Sequence, residues 1–315
     1  MPPERILVIK LSSLGDFVQA SGPMMAIRAA HPDAEITLLT TKPYAAMGEA
    51  TGWFDAVWSD GRPDWLDFPA VWTLLERLRT ARFDRVYDLQ TQSRTVRYFQ
   101  LLWPNPPAWS GNALGAAFAY RGEARDRLHI QDSQREQLRI AGIAEVGPPD
   151  VSWLVGDAAK FDLPPPYALL APGGAAHRPA KRWPAARFGA LAARLLGRGI
   201  TPVVLGHGAE EEALAATILV AAPGSVSLVG KTSIADIASL ARGAVLVVGN
   251  DTGPVHVVVA SGCPAVVLFS RDSNPDLSAP RPIRPDQPVE ILREPDLADL
   301  SVDRVWTTVE ALKNR

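Results

Sequence analysis

The sequence predicts an α/β protein built from two doubly wound domains, and three observations carry that expectation. Short apolar runs alternate with stretches of helical periodicity through both halves of the chain, the mark of parallel βαβ units. The alternation is interrupted once, over 147–166, by Pro148, Pro149, Pro164, Pro165 and Pro166, and then restarts. At 315 residues the chain is long for a single core, and two domains of about 150 residues each are the natural division. The domains are placed at 1–155 and 156–300, with a terminal helix over 301–315.

The first half opens with a strand at 6–9 and a helix over 17–30 whose apolar residues fall at helical spacing. A second strand at 36–40 leads to a short helix at 43–50, opened by Pro43. A brief strand at 56–58, a helix at 74–80 and a strand at 85–89 follow. Residues 103–127 resist assignment, because Pro104, Pro106 and Pro107 break regular structure and 111–119 is small-residue sequence. Residues 129–140 are helical. The second half gives strands at 167–171, 201–205, 226–228, 245–248 and 265–269. Between them lie helices at 185–198, 210–221, 233–242 and 256–261. Ser233 and Asp236 form a helix-start pair. Val302, Val305, Trp306, Val309 and Leu312 put one apolar face on the terminal helix.

Bulk properties narrow the function. A hydrophobic content of 47% with 21% charged residues describes an ordinary globular chain. A net charge of −2 argues against a nucleic-acid binder held by phosphate electrostatics. The one cysteine, Cys263, rules out an intrachain disulfide and a cysteine-cluster metal site. There is no signal-peptide pattern at the N-terminus and no apolar run of the ~18–20 residues that cross a bilayer. A cytoplasmic location is expected, with peripheral contact to a membrane left open.

Three loops follow strands and carry unusual chemistry. Open α/β sheets bind ligands at the carboxyl ends of their strands, so the three are expected to line one cleft. Gly249-Asn250-Asp251-Thr252-Gly253-Pro254-Val255-His256 runs from a buried strand into a helix start. Such a turn aims N–H groups and a positive dipole end at one point, which suits a phosphate. It also brings a carboxylate (Asp251), a hydroxyl (Thr252) and an imidazole (His256) there. A plainer account makes Asn250 and Asp251 an Asx turn, with His256 packed inside the helix. The loop 172–184 joins Gly173 and Gly174 to His177, Arg178, Lys181 and Arg182. Glycine lets backbone approach an anion closely, and the cations neutralise a diphosphate. Lys181, beside the helix start, is favoured as a ligand contact. In Lys10-Leu11-Ser12-Ser13-Leu14-Gly15-Asp16, Asp16 lies at the start of a helix. By spacing alone it reads first as a cap; in the functional reading it is a general base for a sugar hydroxyl. Metal binding by Asp251 and His256 lacks further ligands nearby in sequence.

Taken in order, Ile9–Asp16, Val86-Tyr87-Asp88-Leu89-Gln90, Pro172-Gly173 with Pro179–Pro184, and Gly249–His256 resemble the bacterial lipopolysaccharide heptosyltransferases, glycosyltransferase family nine. The resemblance covers most of the chain. It implies two Rossmann-like domains facing a central cleft (the glycosyltransferase B fold), inverting transfer without an essential metal or cofactor, ADP-heptose as donor and a lipopolysaccharide core acceptor. By position, Asp16 matches the catalytic base and Lys181 the donor-phosphate lysine. Asp251, Thr252 and Gly253 match the loop that holds the donor, with Gly173, Gly174 and His256 beside it. Ser13, Lys10, Gln90 and Arg94 are the candidates on the acceptor side. The terminal helix is expected to pack back on the first domain. Two departures are clear. Ala175 and Ala176 stand where many members carry a hydroxyl or an acid. Lys10 and Lys42 are the sole lysines before residue 150, so Arg94, Arg97, Arg121, Arg125 and Arg127 would have to meet a phosphorylated acceptor. Another nucleotide-sugar enzyme, such as an epimerase, or a non-catalytic sugar-nucleotide binder remain the alternatives.

Overall fold

The computed structural model describes residues 2–174 and 178–313. The chain forms two compact units, Met1–Trp153 and Leu154–Arg315, divided inside the proline-rich stretch and two residues before the expected boundary.

In the first unit six strands, β1 (Arg5–Ile9), β2 (Glu35–Leu39), β3 (Ala56–Trp58), β4 (Arg85–Asp88), β5 (Ala108–Gly111) and β6 (Phe118–Ala119), lie in the order β3-β2-β1-β4-β5-β6. Every pairing is parallel. The central strands are buried on both faces, which is why they read as unbroken apolar runs. The helices are α1 (Leu14–Gln19), α2 (Ser21–Ala30), α3 (Lys42–Ala50), α4 (Phe68–Thr80), α5 (Ser93–Leu101), α6 (Glu123–Arg127) and α7 (Ile130–Ile140). The single helix expected over 17–30 is two. Pro23 has no N–H to offer the preceding turn, and the Ser21 hydroxyl donates to Val18 O at 2.6 Å, so the helix breaks at Ala20. The unassigned region 103–127 supplies β5, β6 and α6.

The second unit repeats the plan. Strands β7 (Tyr167–Ala171), β8 (Thr201–Val204), β9 (Val226–Ser227), β10 (Val247–Asn250), β11 (Ala265–Phe269) and β12 (Val289–Arg293) run in the order β12-β11-β10-β7-β8-β9. These pairings too are all parallel. Counting from β7, that is the strand order of the first unit. Helices α8 (Ala185–Leu196), α9 (Ala209–Ala221), α10 (Ile234–Gly243), α11 (Gly253–Ala260) and α12 (Pro275–Ser278) cover it.

The terminal helix α13 (Val302–Lys313) corrects one expectation. It does not turn its apolar face to the first unit: Val305, Val309 and Leu312 sit in the second unit's core with Leu191, Leu195 and Val266. Ion pairs Arg194–Asp303, at 2.5 Å, and Arg198–Glu310 fasten it along α8. The apolar stripe is therefore satisfied within its own unit.

Candidate active site

In a doubly wound sheet the ligand crevice opens where the strand order reverses. That switch lies between β1 and β4 in the first unit and between β7 and β10 in the second. All the loops singled out in the sequence emerge at these two points, at the carboxyl ends of the strands.

At the first switch point the chain leaves β1 through Lys10–Ser13 and enters α1, where Ser13 is the N-cap. One carboxylate oxygen of Asp16, in the third helical position, accepts from Ser13 N at 3.1 Å and Ser13 Oγ at 3.2 Å. Asp16 thus closes a capping box with Ser13, and the residue is half-buried. Lys10 and Gln90 lie beneath. Lys10 is 2% exposed and donates to Leu89 O at 3.3 Å. Burial pushes its ammonium below the usual range, against the upward pull of Asp16 and Asp88. Gln90 Oε1 accepts from Leu11 N at 2.8 Å and Ser12 N at 3.2 Å. Both side chains hold the turn from inside instead of reaching out to a ligand.

Asp88, at the end of β4, supports them. Its Oδ1 accepts from Gln90 N at 3.1 Å and Thr91 N at 2.9 Å, while Oδ2 is buried without a hydrogen-bond partner. Full burial pushes its carboxyl up to about 6, against the Thr95 hydroxyl, the Thr91 and Gln90 amides and Lys10. Arg94 stands apart. It donates to Pro63 O at 2.7 Å and reaches Tyr98 OH at 3.3 Å. Its neighbour across that contact, Arg62, is the side chain that reaches the turn, donating to Ser12 Oγ at 3.1 Å. Sequence reasoning passed over Arg62 because nothing in the local pattern marks it.

The second switch point brings the donor candidates together around a cavity of about 270 Å³. Gly173, Gly174, Lys181, Asp251, Thr252 and Gly253 all line it. Lys181 Nζ lies 2.7 Å from Asp251 Oδ2, and His256 Nε2 lies 3.4 Å from Asp251 Oδ1. Burial alone would raise the Asp251 carboxyl; His256 and Lys181 overcome that and hold it well below the usual carboxylate range. Two polar atoms here are buried without a partner, Thr252 Oγ1 and His256 Nδ1. Helix α11 begins at Gly253, three residues before the sequence reading placed it, with Pro254 in its first turn and no side-chain cap. Its positive end is open at the cavity. Gly249 lets this helix sit close, since a Cβ there would fall 2.6 Å from Val255 and 2.8 Å from Ala171. Ala175, Ala176 and His177, part of the expected phosphate loop, lie outside the described residues.

Two residues to which the sequence reading gave no place in the site complete the arrangement. Asn250, fully buried, donates from Nδ2 to Pro172 O at 2.8 Å and Gly173 O at 3.0 Å, and its Oδ1 accepts from Trp183 N at 3.1 Å. It splices the glycine loop to the end of β10. Glu211 lies against the cavity: a Cβ on Gly173 would fall 2.0 Å from its Oε1, and one on Gly206 2.5 Å from its Oε2. Its carboxylate also accepts from His207 N at 2.7 Å. The signal for it was available in two glycines at adjacent strand ends followed by an acidic helix start. Arg182, paired with Glu210, donates to Gly174 O at 3.1 Å through Nε and at 2.6 Å through Nη2. Among the described residues no group of three or more His, Cys, Asp or Glu side chains could hold a metal ion.

Residues 148–301 match the model of glycosyltransferase family 9 (heptosyltransferase). That match covers 154 of the 315 residues, almost all of them in the second unit. Over 111 residues it is 34% identical to lipopolysaccharide heptosyltransferase 2 of Salmonella typhimurium, a match covering 34% of this chain and 32% of the relative. The chain thus matches about a third of that relative's length. Among solved structures, a glycosyl transferase family 9 protein from Veillonella parvula superposes with a TM-score of 0.81 at 20% identity, covering 98% of this chain and 97% of that one. The E. coli ADP-heptose LPS heptosyltransferase II gives 0.77 at 21% identity, with 98% of each chain covered. At these identities the likeness establishes the fold alone, glycosyltransferase B.

Proposed function

We propose that this protein is a family 9 inverting glycosyltransferase that moves a heptose from ADP-heptose to a lipopolysaccharide core acceptor. The observation that carries the reading is the second unit's cavity. A primary amine, an uncapped helix N-terminus and the residue bearing an unpartnered hydroxyl, Thr252, converge on it, and two glycines let an anion approach the backbone. That set suits the diphosphate of a nucleotide-sugar. The Lys181–Asp251 pair fixes the ammonium at the cavity, where in this reading charge grows on the departing ADP. Thr252 Oγ1 and the Gly253 end of α11 complete the clamp. With charge supplied by Lys181 and the helix, the reaction in this reading needs no metal and no cofactor.

In the first unit Asp16 is the general base. Its free carboxylate oxygen takes the acceptor hydroxyl proton as that oxygen attacks the anomeric carbon from the face opposite ADP. Ser13 fixes the carboxylate, while Lys10 and Gln90 fix the turn that carries it. The protein works in the cytoplasm in this reading, at the surface of the inner membrane that holds the acceptor. No helix among the described residues is long and apolar enough to cross a membrane.

The deciding experiment compares the parent with Asp16→Asn on ADP-heptose and core acceptor, following ADP release and glycosylated product. Asparagine keeps a side-chain carbonyl that accepts from Ser13 N, so melting temperature and ADP affinity stay close to parental values. Transfer falls by roughly 10²-fold or more, the range credited to a general base. Parental transfer by the variant reduces Asp16 to a cap and overturns the mechanism. Isomerisation of the donor without acceptor would mark an epimerase instead.

A further inference from the structure

Helix α4 buries Leu74, Leu75 and Leu78 in the first unit's core, while its opening turns do the reverse. Leu66 is 82% exposed, Phe68 74% and Trp72 63%. Phe68 and Trp72 stand four residues apart and share one side of the helix. Other large exposed apolar residues, such as Val155 and Val220, are isolated in sequence, which is ordinary for a surface. Three within seven residues form a patch.

The rim of the patch is basic. Arg62, Arg97 and Lys42 are exposed and Arg94 is half-buried. Arg94 and Arg97 hold their guanidinium carbons 4.6 and 5.3 Å from the Trp65 ring centre. Nearby Arg77 is neutralised by Asp60 at 3.3 Å. Arg62 and Arg94, by contrast, are held by neutral groups, the Ser12 hydroxyl, Pro63 O and the Tyr98 hydroxyl. The acids within the patch face the backbone: Asp64 accepts from Leu66 N at 2.9 Å and Asp67 from Ala70 N at 3.1 Å. Glu76 lies a turn beyond Trp72.

We propose that this face, Leu66, Phe68 and Trp72 within the rim of Arg62, Arg94, Arg97 and Lys42, docks on the interface of a bilayer carrying anionic headgroups. Tryptophan, phenylalanine and leucine enter the headgroup boundary, while long cationic side chains bind phosphate at its surface. Arg62 links the patch to the Ser12–Asp16 turn, so docking holds that turn close to the lipid surface. Use of the surface in catalysis rests on the lipid-linked acceptor proposed above; docking itself does not.

The test is co-sedimentation of the full chain with vesicles of equal parts phosphatidylethanolamine and phosphatidylglycerol, against vesicles of phosphatidylcholine. The parent binds the anionic vesicles more tightly, and added salt weakens binding. Phe68→Ser with Trp72→Ser lowers partitioning roughly tenfold or more, given what burial of an aromatic side chain contributes. Lys42→Gln lowers it about fivefold on anionic vesicles alone. ADP affinity and transfer to a soluble, delipidated core oligosaccharide stay at parental values in both variants. A parent that ignores vesicles, or a double variant that binds like the parent, overturns the proposal. So does a parent that dimerises in sedimentation velocity while the double variant stays monomeric, which would make the patch a self-interface. Loss of vesicle binding in the double variant, together with no turnover of ADP-heptose by the parent, would leave the docking surface standing and remove the proposed function.

Discussion

Asp88 shows how much of the site lies below its visible residues. The sequence offered it as part of a strand-end motif, and the structure makes it the fully buried acid under the Asp16 turn. Its unfolded value is about 3.9 and its folded value is raised to about 6. Between those values the unfolded chain releases the proton while the folded chain keeps it. Stability therefore falls as pH rises through that window and is level above it. Asp88→Asn keeps the acceptor for the Gln90 and Thr91 amides and removes the titration. Urea melts from pH 4 to 7 should show the parent losing up to about 3 kcal/mol relative to the variant across the window. Parallel profiles would mean that the Asp88 carboxyl titrates alike in the folded and unfolded chain. Lys10 and Gln90 teach a related lesson. Sequence identifies residue type, so both read as groups for an acceptor; depth is a property of packing, and depth turned them into struts.

At the scale of elements, the alternation of strands and helices was legible because central parallel strands must be apolar on both faces. What escaped was at the margins. β12 is an edge strand with Glu290 and Arg293 among its five residues, so its apolar signal is diluted. β5 has the four residues Ala108-Trp109-Ser110-Gly111 and follows three prolines, too little pattern for a strand. The donor loops were read for what they offer a ligand, and the strut that shapes them was overlooked. Asn250 resembles any turn asparagine in sequence, yet it joins two carbonyls of one loop and an amide of the next segment. Asn250→Leu fills similar space and leaves three buried backbone groups unpaired. Each costs about 1–3 kcal/mol, so a loss of roughly 3 kcal/mol or more is expected in urea melts. ADP affinity should fall with it, because Gly173 and Gly174 lose their anchor. A variant as stable as the parent would show that water replaces the amide and that the loop shapes itself.

At the scale of the whole molecule, the two units share one strand order, and each carries its functional loops at the same topological position. Every residue proposed to hold the donor, Gly173, Gly174, Lys181, Glu211, Asp251, Thr252, Gly253 and His256, belongs to Leu154–Arg315. The family match ends at residue 301, before α13. Packing argues that the folding unit does not end there. Val305, Val309 and Leu312 are buried in the second unit's core, and the Trp183 indole donates to Leu300 O at 2.8 Å just before the helix. Residues 154–315 alone should therefore melt cooperatively and bind ADP within roughly threefold of the parent, about 0.6 kcal/mol. Residues 154–301 lose three buried aliphatic side chains, roughly 5–9 kcal/mol of burial, which rivals the ~5–15 kcal/mol stability of a whole domain. That shorter fragment should fail to fold. Calorimetry and circular dichroism on the two fragments decide the point. If the shorter fragment folds and binds ADP, α13 is an accessory and the core is complete without it. If the longer one binds no ADP, the donor site needs the first unit as well.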